Sequence, residues 1–205
     1  MSYIVHNIKG YPILRNHSGY VLNPKEKKEL GLLKFQMNNL YKNNFISEEC
    51  RILDNPDFSG LNNFFDQYLK IYLEEVLQIE DKVKRINSWA TLNKTDSYHP
   101  LHAHPNVFLS VCFYPQVKSG DLVFRFEKSI LQEGYLFNCT KKYNNSYNMN
   151  EFTFPLTAND LVIFPGWIPH QGTPNNSNVD RVMIGANYFL TGNLGSDSGK
   201  DFLNL

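Results

Sequence analysis

The chain has 205 residues, of which 42% are hydrophobic and 14% aromatic, enough for one domain with a sizeable core. Its 20 basic and 20 acidic side chains cancel, so the sequence carries no electrostatic footprint for a nucleic acid or an anionic membrane. The start, MSYIVHNIKG, lacks a signal-peptide pattern, and no apolar run reaches transmembrane length. Cys50, Cys112 and Cys139 are odd in number and far apart, which argues against a disulfide framework. We therefore expect a cytoplasmic protein.

Helical periodicity dominates the first 82 residues. Asn23 and Pro24 suit the N-cap and the first position of a helix through PKEKKELGLLKFQMNNLY. Residues 59–79 carry an apolar stripe along one face of a second helix. We predict that residues 1–82 form a helical N-terminal part that packs on the rest of the domain. The stripe consists of Leu61, Phe64, Phe65, Tyr68, Leu69, Tyr72, Leu73, Val76 and Leu77.

Short strands between turn signals replace the helices after residue 82. Many strands without interleaved helices favour a β-sandwich or barrel with the helices packed outside. The Asn- and Tyr-rich residues 141–150 have the composition of a solvated loop between strands. The predicted strands are residues 83–92, 106–114, 121–127, 150–156, 160–164 and 180–190.

Three of the six histidines lie in the segment YHPLHAHPNV, residues 98–107. Side chains two apart in a strand point the same way, so His102 and His104 would face together, as neighbouring ligands of one metal must. The direction of His99, beyond Pro100, is not fixed by this argument. His170, in FPGWIPH, follows an apolar strand and a Pro/Gly turn and is the candidate third ligand.

An arginine opens the next predicted strand. Ten residues separate His170 from Arg181, and counting by twos places Arg181, Gly185 and Asn187 on one face. An inward-facing arginine needs an anionic partner, because an unpaired buried charge is very costly. A small dicarboxylate suits the two-point geometry of a guanidinium. A glycine inside a strand often marks the close approach of a ligand or another backbone, and we expect Gly185 to leave room for the anion.

These segments together resemble the Fe(II)- and 2-oxoglutarate-dependent oxygenases, and more narrowly a 2OG-Fe(II) oxygenase group of phages and marine bacteria. The likeness runs over residues 84–190, with H-x-H, SGDLVF and FPGWIPH followed by the arginine as its motifs. It implies a mainly β fold with N-terminal helices, the double-stranded β-helix, a cupin-like jelly-roll barrel with its metal at one mouth. One domain would then span residues 1–205, with a core at 83–192 and a tail at 193–205. The matching residues are Trp89, His102, His104, Pro105, Phe164, Pro165, His170, Arg181 and Asn187.

The resemblance also implies the chemistry. Fe(II) would bind His102, His104 and His170, and Arg181 with Asn187 would hold 2-oxoglutarate. With O2 as the third reactant, the enzyme would hydroxylate its substrate and release succinate and CO2. No catalytic residue beyond the metal ligands is implied.

The chain departs from the common pattern at one ligand. Most of the superfamily has a His-x-Asp or His-x-Glu motif. In this chain His104 stands at the position of the acidic residue. His104 is itself a ligand, or Asp121 supplies a carboxylate from the neighbouring strand, or the position is open to water or an anion. We favour His104, because the resembling group shares His-x-His.

Two other readings compete with the oxygenase. A cupin-type metal-dependent dioxygenase or isomerase would share the histidines, but the glutamate that follows H-x-H in cupins is absent. A non-catalytic ligand-binding barrel is the third interpretation. Of the three, only the oxygenase gives Arg181 a role. The substrate would be a small molecule or a peptide, with no nucleic acid and no membrane, and no oligomeric state is predicted. Candidates for the mouth of the barrel are Trp89, Tyr98, Asn106 and Arg125.

Overall fold

The computed structural model describes residues 3–8, 10–17, 19–38, 43–126, 140–145, 148–195 and 202–205. The helices of these ranges are α1 (Pro24–Leu32), α2 (Ser59–Ile71) and a π-helical segment (Tyr72–Leu77), with 3-10 turns at Ile52–Asp54 and Pro56–Phe58. The strands are β1 (Ile4–Ile8), β2 (Tyr11–Asn16), β3 (Phe35–Met37), β4 (Asn44–Ser47), β5 (Lys82–Asn93), β6 (His99–His102), β7 (Leu109–Gln116), β8 (Asp121–Arg125), β9 (Glu151–Pro155), β10 (Asp160–Pro165), β11 (His170–Gly172), β12 (Arg181–Thr191), β13 (Asn193–Leu194) and β14 (Leu203–Asn204).

Helix α1 begins where the sequence predicts. The Asn23 side chain accepts hydrogen bonds from the backbone N–H groups of Lys25 and Glu26, and the Glu26 carboxylate accepts one from the backbone of Asn23. This reciprocal pairing satisfies donors that the first helical turn cannot. The helix is shorter than predicted, because Leu33 is extended and β3 follows, paired with β4.

Helix α2 and the π-helical segment confirm the predicted apolar stripe. Their buried side chains lie against the outer face of the large sheet, where Phe64 and Phe65 meet Phe113 of β7 with ring centroids 6.2 and 6.3 Å apart. The burial of this apolar surface holds the helical layer on the sheet.

Two antiparallel sheets build the β part. The large sheet has the order β1-β2-β10-β7-β12-β5-β4-β3, and the small sheet has the order β6-β11-β8-β9. A second core between them joins Ile13, Val162 and Phe164 of the large sheet to Phe124 and Phe154 of the small sheet. All six predicted strands are present, and in the small sheet the structure adds the short strands β6 and β11.

Two features differ from the expected architecture. Residues 3–82 are not simply helical, because β1 to β4 lie around the helices in sequence and extend the large sheet at both edges. In the described ranges no strand pairing joins the large sheet to the small one, so the two sheets face each other without closing into a barrel.

The remaining segments bear on smaller predictions. The tail contains a short pairing of β13 with β14. Cys50 and Cys112 are free thiols, whereas Cys139 and residues 146–147 of the predicted loop lie outside the described residues. Over the described part of the chain, no helix has the length and apolar character needed to cross a membrane.

Candidate metal centre

Three histidines converge at one end of the space between the sheets. His102 ends β6 and His170 begins β11, and the two residues are direct partners in the antiparallel pairing of these strands. His104 follows β6, and its backbone N–H donates to the carbonyl oxygen of Gly166 at 2.9 Å. One side-chain nitrogen from each of the three histidines lies within 4.8 Å of the others.

His104 reaches this cluster by a different route from the one predicted. Strand β6 ends at His102, so strand alternation does not orient the pair. The hydrogen bond to Gly166 ties the segment after β6 to the turn after β10 instead, and the rings of His102 and His104 come to 4.9 Å between centroids. The expected neighbours therefore meet, but through a loop contact.

Backbone carbonyls fix the tautomer of two of the rings. Nδ1 of His102 lies 2.8 Å from the oxygen of Pro100, and Nδ1 of His170 lies 2.8 Å from the oxygen of Ile168. A carbonyl oxygen can only accept, so each Nδ1 carries the proton and each Nε2 keeps its lone pair. Both rings therefore present a ligand nitrogen away from the backbone.

Burial keeps these imidazoles neutral. Burial lowers the pKa of His104 to about 4, and it lowers the pKa of His102 below its usual value. Burial also places the pKa of His170 well below 6.5, with the neighbouring His102 adding to the effect. Since metal binding requires the unprotonated nitrogen, no proton has to be displaced near neutral pH.

Carboxylates are absent from this cluster. Among the described histidine, cysteine, aspartate and glutamate side chains, the only group placed to share one metal ion is His102, His104 and His170. Asp121 begins β8, and its charge acts instead on Arg181, where it favours the protonated guanidinium.

Arg181 and the three histidines line one cavity between the sheets. Its side chain is buried, with 3% of the residue exposed, and Nη2 donates to the carbonyl oxygen of Thr173 at 2.7 Å. Nη1 is buried and has no hydrogen-bond partner among the described residues. Burial lowers the pKa of Arg181, and Tyr114 and Asp121 oppose that shift. A buried cationic donor without a partner is costly, which is the condition an anionic ligand would relieve.

Asn187 and Gly185 do not take the places expected of them. Six residues of strand put Asn187 roughly 20 Å from Arg181, too far to share a carboxylate. Asn187 does not line the cavity, and its Oδ1 accepts a hydrogen bond from Ser110 at 2.8 Å. A Cβ at Gly185 would lie 2.6 Å from the indole of Trp89, so this glycine makes room for Trp89 and not for a ligand.

Of the four residues predicted to lie at the mouth of the barrel, one lines the cavity and three do not. Trp89 lines the cavity, with its ring 5.9 Å from that of His104. Tyr98, Asn106 and Arg125 are exposed and do not line it, and Arg125 pairs with Glu151 at 2.7 Å.

Two further residues of the cavity, His99 and Tyr114, were not assigned to it from the sequence. His99 lines it, with its ring 4.6 Å from that of His102, and burial lowers the pKa of His99 to about 3. Tyr114 also lines it, and strand alternation could have found this residue. Phe113 faces the helices, so Tyr114, like Cys112, must face the other way.

Comparison with known proteins agrees with this geometry. The sequence model of the family described as "Putative 2OG-Fe(II) oxygenase" matches residues 87–187. That range contains every predicted site residue. A search of curated protein sequences gives no match.

Solved structures share the fold at low sequence identity. An oxidoreductase of the 2OG-Fe(II) oxygenase family from Burkholderia pseudomallei superposes with a TM-score of 0.60 at 11% identity, covering 86% of this chain and 83% of that one. HygX from Streptomyces hygroscopicus, with nickel, 2-oxoglutarate and hygromycin B bound, gives 0.56 at 10% identity over 86% and 82%. The epimerase SnoN from nogalamycin biosynthesis gives 0.56 at 12% identity over 85% and 72%.

The predicted cofactors Fe(II), 2-oxoglutarate and O2 are those of the matching family. The motifs over residues 84–190, the histidine cluster and the family match point the same way. Residues 87–187 thus match the 2OG-Fe(II) oxygenase family, and the structural neighbours support the resemblance seen in the sequence.

Proposed function

We propose that this protein is a dioxygenase that hydroxylates a small-molecule or peptide substrate while 2-oxoglutarate is converted to succinate and CO2. The observation that carries the proposal is that Arg181, whose Nη1 is buried and has no hydrogen-bond partner among the described residues, lines the same cavity as the three histidines. A metal site alone suits many proteins. A metal site that shares a cavity with an unsatisfied guanidinium suits a cosubstrate with a chelating end and an anionic end.

The donor set fits the metal. His102, His104 and His170 would hold Fe(II), and at least His102 and His170 offer Nε2 lone pairs fixed by their backbone contacts. Imidazole nitrogen is a ligand that iron accepts. Three neutral ligands leave the metal charge uncompensated, and the 2-oxoglutarate dianion would balance it. The bound iron supplies the O2 chemistry, while the protein supplies position and a low-dielectric cavity.

Arg181 would anchor the far carboxylate of 2-oxoglutarate. The hydrogen bond from Nη2 to Thr173 holds the guanidinium plane, and Nη1 is left as the donor for the ligand. Gly120 leaves the space that this side chain occupies, since a Cβ there would lie 2.0 Å from Nη1. We assign Asn187 no contact with the cosubstrate, because of its distance along β12.

Apolar side chains would keep water from the reacting groups. Leu122, Leu156 and Met183 line the cavity beside the histidines and Arg181. Exclusion of water strengthens the pairing of a carboxylate with the guanidinium. It would also protect the reacting groups from side reactions with water.

We favour a small-molecule substrate over a peptide. HygX and SnoN have been solved with hygromycin B and with nogalamycin RO, both small molecules, and this supports a small molecule more than a peptide. A cytoplasmic location stays part of the proposal, consistent with the free thiols of Cys50 and Cys112. The cupin-type enzyme and the non-catalytic barrel leave the buried Arg181 without a partner.

The test is an anaerobic titration of the metal-free protein with Fe(II), with and without 2-oxoglutarate. We expect stoichiometric iron binding and, with 2-oxoglutarate, a metal-to-ligand charge-transfer band. On admission of O2, slow succinate formation should follow even without substrate. Protein that binds Fe(II) but neither binds 2-oxoglutarate nor forms succinate would refute the oxygenase and leave the cupin or binding-barrel alternative.

A further inference from the structure

His99 is a fourth histidine in the cavity, outside the group that could share a metal. It begins β6 opposite Gly172 of β11, three residues before His102. Gly172 is a common neighbour of His99 and Arg181, and it shows that His99 lies between the metal cluster and Arg181. A Cβ on that glycine would lie 3.3 Å from Nη2 of Arg181 and 3.5 Å from Cβ of His99. His99 therefore adjoins the guanidinium on one side and, through the ring contact of 4.6 Å, His102 on the other.

Asn44 fixes the tautomer of His99. The side-chain nitrogen of Asn44 donates to the carbonyl oxygen of Tyr98 at 2.8 Å, which identifies that atom as the amide nitrogen and not the amide oxygen. The same nitrogen lies 3.3 Å from Nδ1 of His99. An amide nitrogen can only donate, so Nδ1 of His99 accepts. The proton of the neutral ring is therefore on Nε2.

This tautomer is opposite to that of the ligand candidates. His102 and His170 are protonated on Nδ1 and present Nε2 lone pairs, whereas His99 presents an Nε2–H group. A protonated nitrogen cannot bind a metal, but it can donate to an oxygen. The cavity thus has lone pairs at the metal cluster and one N–H donor beside them.

We propose that His99 is a cosubstrate-orienting residue, whose Nε2–H donates to the carboxylate that 2-oxoglutarate places next to the metal. The inference rests on the proposed function and deepens it. A ligand that reaches from the histidine cluster to Arg181 must pass His99, and the ring adjoins His102, at the metal end. Asn44 acts through His99, as the positioning residue that holds the donor toward the cavity.

The first test reads the tautomer without any cosubstrate. Nitrogen NMR of the metal-free protein, with His99 assigned by comparison with His99→Gln, should show Nε2 protonated and Nδ1 unprotonated. In Asn44→Leu this preference should weaken. A proton on Nδ1 in the wild-type protein would overturn the proposal.

The second test measures cosubstrate binding under anaerobic conditions. His99→Phe keeps a ring of similar size but has no donor, and His99→Gln restores an N–H at a similar reach. With Fe(II) bound, His99→Phe should weaken 2-oxoglutarate binding roughly ten- to a hundredfold, the range for a hydrogen bond to a charged group. His99→Gln should recover most of the loss, and iron affinity should be unchanged in both variants.

A ligand without the far carboxylate locates the contact. 2-Oxopentanoate keeps the chelating end but cannot pair with Arg181, so His99→Phe should weaken its binding by the same factor as for 2-oxoglutarate. Loss confined to 2-oxoglutarate would place the contact at the Arg181 end and overturn the assignment. Equal affinity of wild type and His99→Phe would remove His99 from the cosubstrate site and leave the proposed function intact, whereas a wild-type protein that binds no 2-oxoglutarate would refute both.

Discussion

His102 and His170 are direct partners in the pairing of β6 with β11, and each donates Nδ1–H to the carbonyl oxygen of the residue two positions before it. Two stretches of chain far apart in sequence thus use the same short-range contact to aim a ring. Because the donor and the acceptor belong to one short segment, the orientation of each ring does not depend on a distant side chain. This local support is typical of histidines that bind metals.

Loss of either paired histidine should remove the metal. We expect His102→Ala and His170→Ala to lose stoichiometric iron, measured by metal analysis after anaerobic loading and desalting. His17→Ala is the control, because the side chain of His17 is 42% exposed and contacts Asp160 away from the cluster. Stoichiometric iron in both cavity variants would exclude the site.

The third ligand can be identified by comparing two variants. His104→Ala should weaken iron binding about tenfold or more, because it removes a nitrogen from the cluster. Asp121→Asn should leave iron affinity nearly unchanged, because this carboxylate acts on Arg181 and not on the histidines. Competition with a chromogenic chelator measures both affinities, and the reverse ranking would make Asp121 the ligand.

Arg181 should be needed for the cosubstrate and not for the metal. Arg181→Lys keeps the charge but loses the planar two-point contact, so 2-oxoglutarate affinity should fall while iron affinity is retained. Arg181→Ala should abolish succinate formation, at a cost of about 2–5 kcal/mol in cosubstrate binding. Arg125→Lys is the matched control, since Arg125 is an exposed arginine paired with Glu151. Unchanged 2-oxoglutarate affinity in Arg181→Lys and Arg181→Ala would remove the anchor.

Asn187 should matter for stability and not for binding. Asn187→Ala leaves the buried hydroxyl of Ser110 without its acceptor, which should lower the free energy of unfolding by about 1–3 kcal/mol in chemical denaturation. Affinity for 2-oxoglutarate should stay within about threefold of wild type. A loss as large as that of Arg181→Lys would restore Asn187 to the cosubstrate site.

The metal-free protein should lose stability on acidification. Burial lowers the pKa of His104 from 6.5 to about 4 in the folded state, so between these values the unfolded chain binds more protons than the folded one. The free energy of unfolding must then fall as the pH falls through this window. Denaturant titrations in a chelator at several pH values measure the slope, and His104→Gln should reduce it. An equal slope in that variant would contradict the shift.

The strands of the core were predictable because their side chains alternate between two cores. On β12, Val182, Ile184 and Ala186 form one apolar face, and Ile184 and Ala186 of that face do pack in the core beneath the helices. The strands β1 to β4 were not predicted, because they are short or lie beside the stronger helical signals. Their place at the sheet edges is set by pairing with β10 and β5, which a local pattern does not contain.

Site residues could be predicted where sequence spacing determines their position. They could not be predicted where a hydrogen bond in the folded structure determines it. Arg181 was found from its distance to His170 and its strand parity. His104 was chosen by parity, but the hydrogen bond to Gly166 places it. The role of His99 depends on Asn44, 55 positions earlier in the chain, a contact that only the folded structure brings about.

Strand β7 separates two environments with one backbone. Phe113 is held beneath helix α2, while Cys112 and Tyr114, its immediate neighbours, face the cavity. A closely packed strand cannot shift on one side alone. Any substitution in the helical layer that moves Phe113 therefore also displaces the wall of the cavity. The helical layer, which contributes no residue to the site, thereby limits which substitutions the cavity wall can accept.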